Sequence, residues 1–319
     1  MYRIGVDLGG TNIAAGLVDG NYNIVKKISV RTNLKDGADV IAADISKLCL
    51  RLCEEWGISV SDIDAIGIAS PGAANHTDGY VEYCNNLPFR KYPICEKVRN
   101  ATGVESVHVE NDANAAAWGE AIAGAAKGTK NSVMITLGTG VGGGIIIDGK
   151  VYSGFNYAGA ELGHMVIEYN GRPCSCGRRG CWERYSSATA LIAMTKEILE
   201  EYNKHGAVTI MTEMAAEKGR VTGRTAFDAM RKGDSAGKEV VDMYLKYLAC
   251  GIANVINIFQ PEVVSIGGGI SNEGDSLIDM LSPLVGPQQY GNGFVQMPKL
   301  RIAQLGNDAG IIGAAYLGI

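Results

Sequence analysis

Neither sign of charge dominates this 319-residue chain: 29 lysines and arginines stand against 34 aspartates and glutamates, for a net charge of −5. No cluster of Lys and Arg offers a phosphate-tracking face, so no nucleic acid is expected as a partner. Long hydrophobic runs are also missing. Stretches such as Gly144-Ile145-Ile146-Ile147-Asp148 are soon interrupted, so no segment reads as a membrane span and no membrane partner is expected. Met1-Tyr2-Arg3 runs directly into Ile4-Gly5-Val6 without a basic n-region, an apolar h-region or a small-residue cleavage site. That argues against secretion and against disulfide chemistry, and makes the cytoplasm the expected location. No G-x-x-x-x-G-K-[ST] sequence occurs, which excludes a P-loop.

What is present is apolar content of 46% with 20% charged residues, ordinary for a soluble globular protein. The length exceeds a comfortable single core, so two domains are the default expectation. The 43 glycines gather at strand ends and form no low-complexity tract, and backbone amides left accessible by glycine commonly cradle phosphates. One imidazole and three thiols, His164, Cys174, Cys176 and Cys181, fall within eighteen residues and are broken by glycines. Zinc favours tetrahedral Cys3His coordination, and four protein ligands would make the site structural. The alternatives are a disulfide pair or buried free thiols. Glu161 and Glu183 flank the cluster, so a metal there would hold two carboxylates in place. Cys49, Cys53, Cys84, Cys95 and Cys250 lie among apolar neighbours and read as core residues.

Two segments repeat. Gly5-Val6-Asp7-Leu8-Gly9-Gly10-Thr11 leads into an apolar run ending at Asp19-Gly20, and Met134-Ile135-Thr136-Leu137-Gly138-Thr139-Gly140 into one ending at Asp148-Gly149. Without a gap, Leu8 pairs with Leu137, Gly9 with Gly138 and Asp19 with Asp148. Each copy reads as strand, Gly/Thr turn, strand and Asp-Gly corner, implying two similar domains with both loops directed at one ligand. Gly138, Gly140 and Gly143 also fit G-x-G-x-x-G, but Ile145-Ile146-Ile147 continues as a strand where a dinucleotide fold needs a helix.

Elsewhere strands and helices alternate. Helices are expected over 40–56, 111–126, 186–202 and 237–259, and strands over 63–69, 104–109 and 263–266, with Asp308 capping a final helix. This is a mixed-sheet α/β protein, with the domain boundary expected near residues 118–128. Glu110-Asn111-Asp112-Ala113-Asn114 joins a strand to an alanine-rich helix. Asn111 and Asp112 are good N-caps, which alone explains both. Asp112 at the carboxyl end of a strand also suits an acid that takes the proton from a substrate hydroxyl during phosphoryl transfer.

Together these motifs resemble the ROK family of sugar kinases and regulators, within the actin-like ATPase superfamily. Asp7-Leu8-Gly9-Gly10-Thr11-Asn12 and Leu137-Gly138-Thr139-Gly140-Val141-Gly142 resemble its two phosphate motifs, and Glu110-Asn111-Asp112-Ala113-Asn114-Ala115-Ala116 its catalytic segment. Gly159-Ala160-Glu161-Leu162-Gly163-His164 and Cys174-x-Cys176-Gly-x-x-Gly-Cys181-x-Glu183 match the sugar and zinc signature. Ile266-Gly267-Gly268-Gly269-Ile270-Ser271 resembles the adenosine segment, and Asp308-Ala309-Gly310-Ile311-Ile312-Gly313-Ala314-Ala315 the closing helix.

The resemblance implies a two-domain actin-like ATPase (ribonuclease H-like) fold with a cleft between domains 1–118, joined by 305–319, and 119–304. It implies ATP-dependent phosphorylation of a hexose. Glucose is favoured because Ser70-Pro71-Gly72-Ala73 resembles the glucokinase loop, whereas N-acetylmannosamine kinases tend to carry arginine near Ala73. N-Acetylmannosamine, N-acetylglucosamine and fructose kinases are the alternatives. Asp112 would be the general base. Asn111, Glu161, His164 and Glu183 would bind ring hydroxyls, with Gly72 and Asn86 closing the pocket. Asp7 would hold Mg2+, while Gly9, Gly10, Thr11, Asn12, Gly138, Thr139 and Gly140 would meet the ATP phosphates. Gly268, Gly269 and Asn272 would lie against adenosine. Zn2+ on His164, Cys174, Cys176 and Cys181 would brace the sugar loop, and a homodimer is implied. Regulators of this family add an N-terminal helix-turn-helix domain; the first strand here is expected at about Tyr2, leaving no room for one. A catalytically silent sugar-binding protein is a further rival, opposed by intact Asp7, Thr11 and Asp112.

Overall fold

The computed structural model describes residues 2–318. Three strands open the chain as an antiparallel meander: β1 (Tyr2–Leu8), β2 (Asn12–Val18) and β3 (Ile24–Arg31). Helix α1 (Ala38–Trp56) places Ile41, Ile45, Leu48 and Leu52 at helical spacing in the core. It ends where Gly57 turns left-handed at φ 77°. Strand β4 (Ile63–Ser70) follows, then a small antiparallel sheet of β5 (Ala73–Asn75), β6 (Tyr80–Tyr83) and β7 (Arg90–Tyr92). Helix α2 (Ile94–Thr102), β8 (Val107–Asn111) and α3 (Asp112–Ala123) complete the first half of the chain.

The main sheet of this half has the order β3-β2-β1-β4-β8, with β1, β4 and β8 mutually parallel. Ile4, Val6, Leu8, Ile66 and Ile68 are fully buried, as expected of strands in the interior of a covered sheet. Helix α10 (Ala309–Ala315), from the chain's end, presses its backbone onto this sheet at Gly5 and Gly67. A β-carbon on Gly5 would lie 1.8 Å from the Ile311 carbonyl oxygen, and one on Gly67 1.7 Å from that of Ala314.

A second five-stranded sheet runs β11-β10-β9-β12-β13, from β9 (Ser132–Leu137), β10 (Val141–Ile147), β11 (Lys150–Val151), β12 (Val263–Gly267) and β13 (Lys299–Ile302). Its helices are α4 (Glu183–Ser186), α5 (Ala188–Lys204), α6 (Ile210–Glu217), α7 (Thr225–Arg231), α8 (Ser235–Phe259) and α9 (Asp275–Val285). In both sheets the third, second, first, fourth and fifth strands follow one another, so the repeat read from the glycine motifs extends to sheet order. The Asp-Gly corners differ in detail. Asp148 and Gly149 both take positive φ in a two-residue hairpin turn. Asp19 instead closes a wider loop, its side chain accepting the Asn21 and Asn23 amides at 2.9 Å.

By sheet membership, β1–β8 precede residue 118 and β9–β13 fall within 119–304. By compactness the chain divides otherwise. One unit holds the chain up to Met134, Gly143–Ala160 and the chain from Ala303 onward; the other holds Ile135–Gly142 and Glu161–Ile302. The first unit keeps all of α3 because that helix packs along α10, with Gly313 on the Ala115 carbonyl and Gly119 on that of Ala309. Asp308 occupies the N-cap position of α10 but makes no side-chain cap; its carboxylate pairs with Lys27 Nζ at 2.5 Å. The capping expectation for Asp308 is corrected accordingly: its backbone is already helical, which turns the carboxylate away from the first amides.

Candidate active site and metal centre

In the first unit the parallel strands deliver their carboxyl ends to one edge, the usual place for a site in an α/β sheet. The register puts Asp7 opposite Ala69 and Ala69 opposite Glu110, with Asn111 one step beyond. Asn111 is the cap of α3: its Oδ1 accepts the amides of Ala113 at 2.9 Å and Asn114 at 3.2 Å. Its Nδ2 donates to the Gly72 carbonyl at 3.1 Å, and the same side chain hydrogen-bonds the Asp112 carboxyl. Because Asn111 caps the helix, Asp112 is not needed for that task. Its Oδ1 accepts the Ala113 amide at 2.9 Å.

Burial pushes the Asp112 carboxyl above the ordinary carboxylate range, against the pull of the Ala113 amide, its own amide and Asn111. Asp7 is pushed up to about 6, first by burial and then by repulsion from Asp112, with Lys27 working the other way. Two carboxyls that resist joint ionisation invite a cation.

The turn after β1 carries Gly9, Gly10, Thr11 and Asn12, the last three exposed. It is closed by a Gly9 amide to Asn12 carbonyl bond of 2.9 Å. Thr32, which the sequence motifs did not single out, clamps it: its hydroxyl donates to the Gly9 carbonyl at 2.6 Å and its amide to that of Thr11 at 2.9 Å. Gly72 has φ 95°, and a β-carbon there would lie 2.1 Å from the Tyr83 carbonyl. Only glycine lets the Ser70-Pro71-Gly72 loop approach the end of β6, beyond which Asn86 sits exposed.

Glu110 is the second residue that sequence reasoning missed. It is only 3% exposed. Its Oε1 accepts from the Asn111 amide at 2.8 Å and Asn114 Nδ2 at 3.0 Å, and its Oε2 faces His76 Nδ1 at 3.1 Å and the Ser153 hydroxyl at 3.2 Å. A buried carboxylate with four partners fixes the strand end on which Asn111 and Asp112 sit. Its place inside the Glu110-Asn111-Asp112 run was the available signal.

In the second unit, His164, Cys174, Cys176 and Cys181 converge, their ligand atoms all within 4.8 Å of one another. The Cys176–Cys181 sulfur separation is 3.6 Å, and Cys174 Sγ lies 3.7 Å from His164 Nδ1. A tetrahedron with Zn–S of about 2.3 Å and Zn–N of about 2.0 Å has edges of roughly 3.5–3.8 Å, so the donor set fits Zn2+. The Cys-Ser-Cys-Gly turn is made by Gly177 at φ 87°, and the loop is nailed to α8 by Trp182. That indole is fully buried, donates to the Tyr247 carbonyl at 3.1 Å and lies where a β-carbon on Gly251 would clash.

Since Nδ1 faces the sulfurs, His164 keeps Nε2 for another partner. Glu161 is exposed immediately before the 3-10 turn Leu162–His164, and Glu183 opens α4 two residues after Cys181. The second phosphate motif, Gly138, Thr139 and Gly140, forms the turn from β9 to β10. Gly268, at φ 83°, packs on the Leu137 backbone, where a β-carbon would come within 2.6 Å. The Gly268-Gly269 segment thus abuts the second phosphate turn. Asn272 donates to the Gly269 carbonyl at 2.9 Å and stabilises this segment from within.

The profile of the ROK family matches residues 3–319. A glucokinase of Halalkalibacterium halodurans is 36% identical, covering 99% of this chain and 94% of that protein. A glucokinase of Thermotoga maritima is likewise 36% identical, covering 98% of this chain and 96% of its own. Among solved structures, a ROK family glucokinase from Streptomyces griseus in complex with glucose and AMPPNP superposes with a TM-score of 0.79. It is 34% identical, and 99% of each chain is covered.

Proposed function

This chain belongs to the ROK family, and from that premise we infer that it is an ATP-dependent glucokinase, converting glucose to glucose 6-phosphate. The observation that carries the mechanism is Asp112: a half-buried carboxylate at a strand's carboxyl end, relieved of helix capping by Asn111 and electrostatically coupled to Asp7.

In this reading the Asp112 carboxylate accepts the proton of the glucose 6-hydroxyl as that oxygen bonds to the γ-phosphorus. The bond from γ-phosphorus to the β–γ bridging oxygen breaks, and ADP leaves with the electron pair. Raised proton affinity suits Asp112 to this exchange. Asn111, Glu161, His164 Nε2 and Glu183 bind the other hydroxyls, with Gly72 and Asn86 bordering the sugar. Carboxylates suit this because each hydroxyl both donates and accepts.

Gly9, Gly10, Thr11, Asn12, Gly138, Thr139 and Gly140 meet the ATP phosphates. Gly268, Gly269 and Asn272 lie against adenosine. Asp7 would hold Mg2+, which when bound neutralises charge on the β- and γ-phosphates. His164, Cys174, Cys176 and Cys181 would hold Zn2+, which supplies a brace and no open coordination position.

The functional halves in this scheme are 1–118 with 305–319, and 119–304. A cytoplasmic homodimer completes the proposal. No helix among the described residues is long and apolar enough to cross a membrane. Light scattering on the purified protein tests the dimer. The function is tested by ADP release with ATP and Mg2+ against glucose, mannose, fructose, N-acetylglucosamine and N-acetylmannosamine. Glucose should give the highest kcat/KM; no turnover with any hexose would remove the kinase reading.

A further inference from the structure

The turn Gly138–Val141 is held almost entirely by residues after the metal-binding loop. The Gly138 carbonyl accepts the Ala188 amide at 2.9 Å, and the Thr139 carbonyl accepts the Thr189 hydroxyl at 2.8 Å. The Gly140 carbonyl accepts the Gly138 amide at 3.0 Å, across the turn. The Val141 amide donates to Glu183 Oε2 at 3.1 Å. That carboxylate lies so close over Gly140 that a β-carbon there would come within 2.1 Å of Oε2. With these groups occupied, the amides of Thr139 and Gly140 have no hydrogen-bond partner among the described residues. Two adjacent N–H groups in a fixed turn form an anion-binding concavity.

We propose that Glu183 and Thr189 are positioning residues for the nucleotide phosphates: they fix the turn so that its two unengaged amides face a phosphate oxygen. Glu183, which the family resemblance assigns to the sugar, therefore also serves the nucleotide side. It lies two residues from Cys181, so the metal loop reaches the phosphate turn through this side chain. The contact is a hydrogen bond to a backbone amide and needs an acceptor, not a charge. Glutamine can supply that acceptor; alanine cannot. The inference rests on the kinase reading above.

The test is calorimetric binding of AMPPNP with Mg2+ in the absence of sugar. Each lost hydrogen bond should weaken binding about five- to tenfold, so Thr189→Val and Glu183→Ala should both show that loss. Glu183→Gln should bind within about twofold of the unsubstituted protein, since its amide oxygen still accepts from Val141. Thr189→Val should leave the glucose dissociation constant unchanged, separating turn positioning from damage to the sugar loop. Unaltered AMPPNP affinity in Thr189→Val and Glu183→Ala would overturn the proposal. So would a loss in Glu183→Gln equal to that in Glu183→Ala, because charge would then be the cause. Failure of the unsubstituted protein to bind AMPPNP would instead overturn the kinase reading, and this inference with it.

Discussion

Replacing Asp7 with asparagine should stabilise the ligand-free protein while abolishing phosphoryl transfer. The folded protein holds the Asp7 proton up to about pH 6, against 3.8 for an ordinary aspartate, because burial and then Asp112 disfavour the charge. The stabilisation that follows is complete below 3.8 and is lost as pH rises through about 6, so at neutral pH the ionised side chain works against folding. At about 1.4 kcal/mol per tenfold in proton affinity, that loss amounts to about 3 kcal/mol, discounted to roughly 1–3 kcal/mol because Asp7 is partly exposed. Asparagine has the same shape and no charge to desolvate. At pH 8 the Asp7→Asn protein, free of metal and nucleotide, should melt several degrees higher, at roughly 2–4 °C per kcal/mol. By pH 4.5 the advantage should fall to about a third. Mg2+ with AMPPNP at a hundred times its dissociation constant should add about 2.7 kcal/mol to the unsubstituted protein and less to Asp7→Asn, narrowing the gap between them. Thermal scans over this pH range decide the matter. Asp7→Asn being no more stable at pH 8, or being stabilised equally at every pH, would refute a buried charge held ready for a cation.

Asp112→Ala should retain glucose binding by calorimetry while turnover falls about 10²–10⁴-fold; retained turnover would mean another base. Cys176→Ser should lose metal and lower glucose affinity, and unchanged affinity in metal-depleted protein would count against the bracing role. His76 is raised above 6.5 chiefly by its hydrogen bond to Glu110, so its stabilising effect is full below 6.5 and fades as pH passes the elevated value. The melting temperature lost on His76→Gln should therefore be larger at pH 6 than at pH 9; equal losses would show that the imidazolium does not matter. Gly72→Ala should cost about 1–3 kcal/mol of stability and raise the KM for glucose, since both its φ and the Tyr83 carbonyl oppose a side chain; an unchanged KM would show that the loop yields freely.

The strand–helix alternation, the paired glycine motifs and the metal ligands were legible along the chain. Their information is local: periodicity for α1 and α8, ligand spacing for the Cys-x-Cys turn. Short elements were not. Strands β5–β7 and β13 span only three or four residues each, too few for a period to register, and they exist because neighbouring strands complete their hydrogen bonds. Thr32 and Glu110 escaped for a related reason. A threonine beyond the third strand carries no local mark of the turn it clamps, and the Glu110-Asn111-Asp112 run marks Glu110 as near the site without showing the four partners that folding brings to it.

From residue order alone followed the duplicated architecture, the family and the chemistry available to it, because glycine turns, a Cys3His set and a capped acid are short-range patterns. Tertiary structure decided how that chemistry is apportioned. It gave helix capping to Asn111 and so left Asp112 for a proton, turned Asp308 from a cap into an ion pair with Lys27, and set Glu183 on the Val141 amide. Each outcome depends on which polar group comes within about 3 Å, the range in which a hydrogen bond forms, and folding of the chain sets those distances.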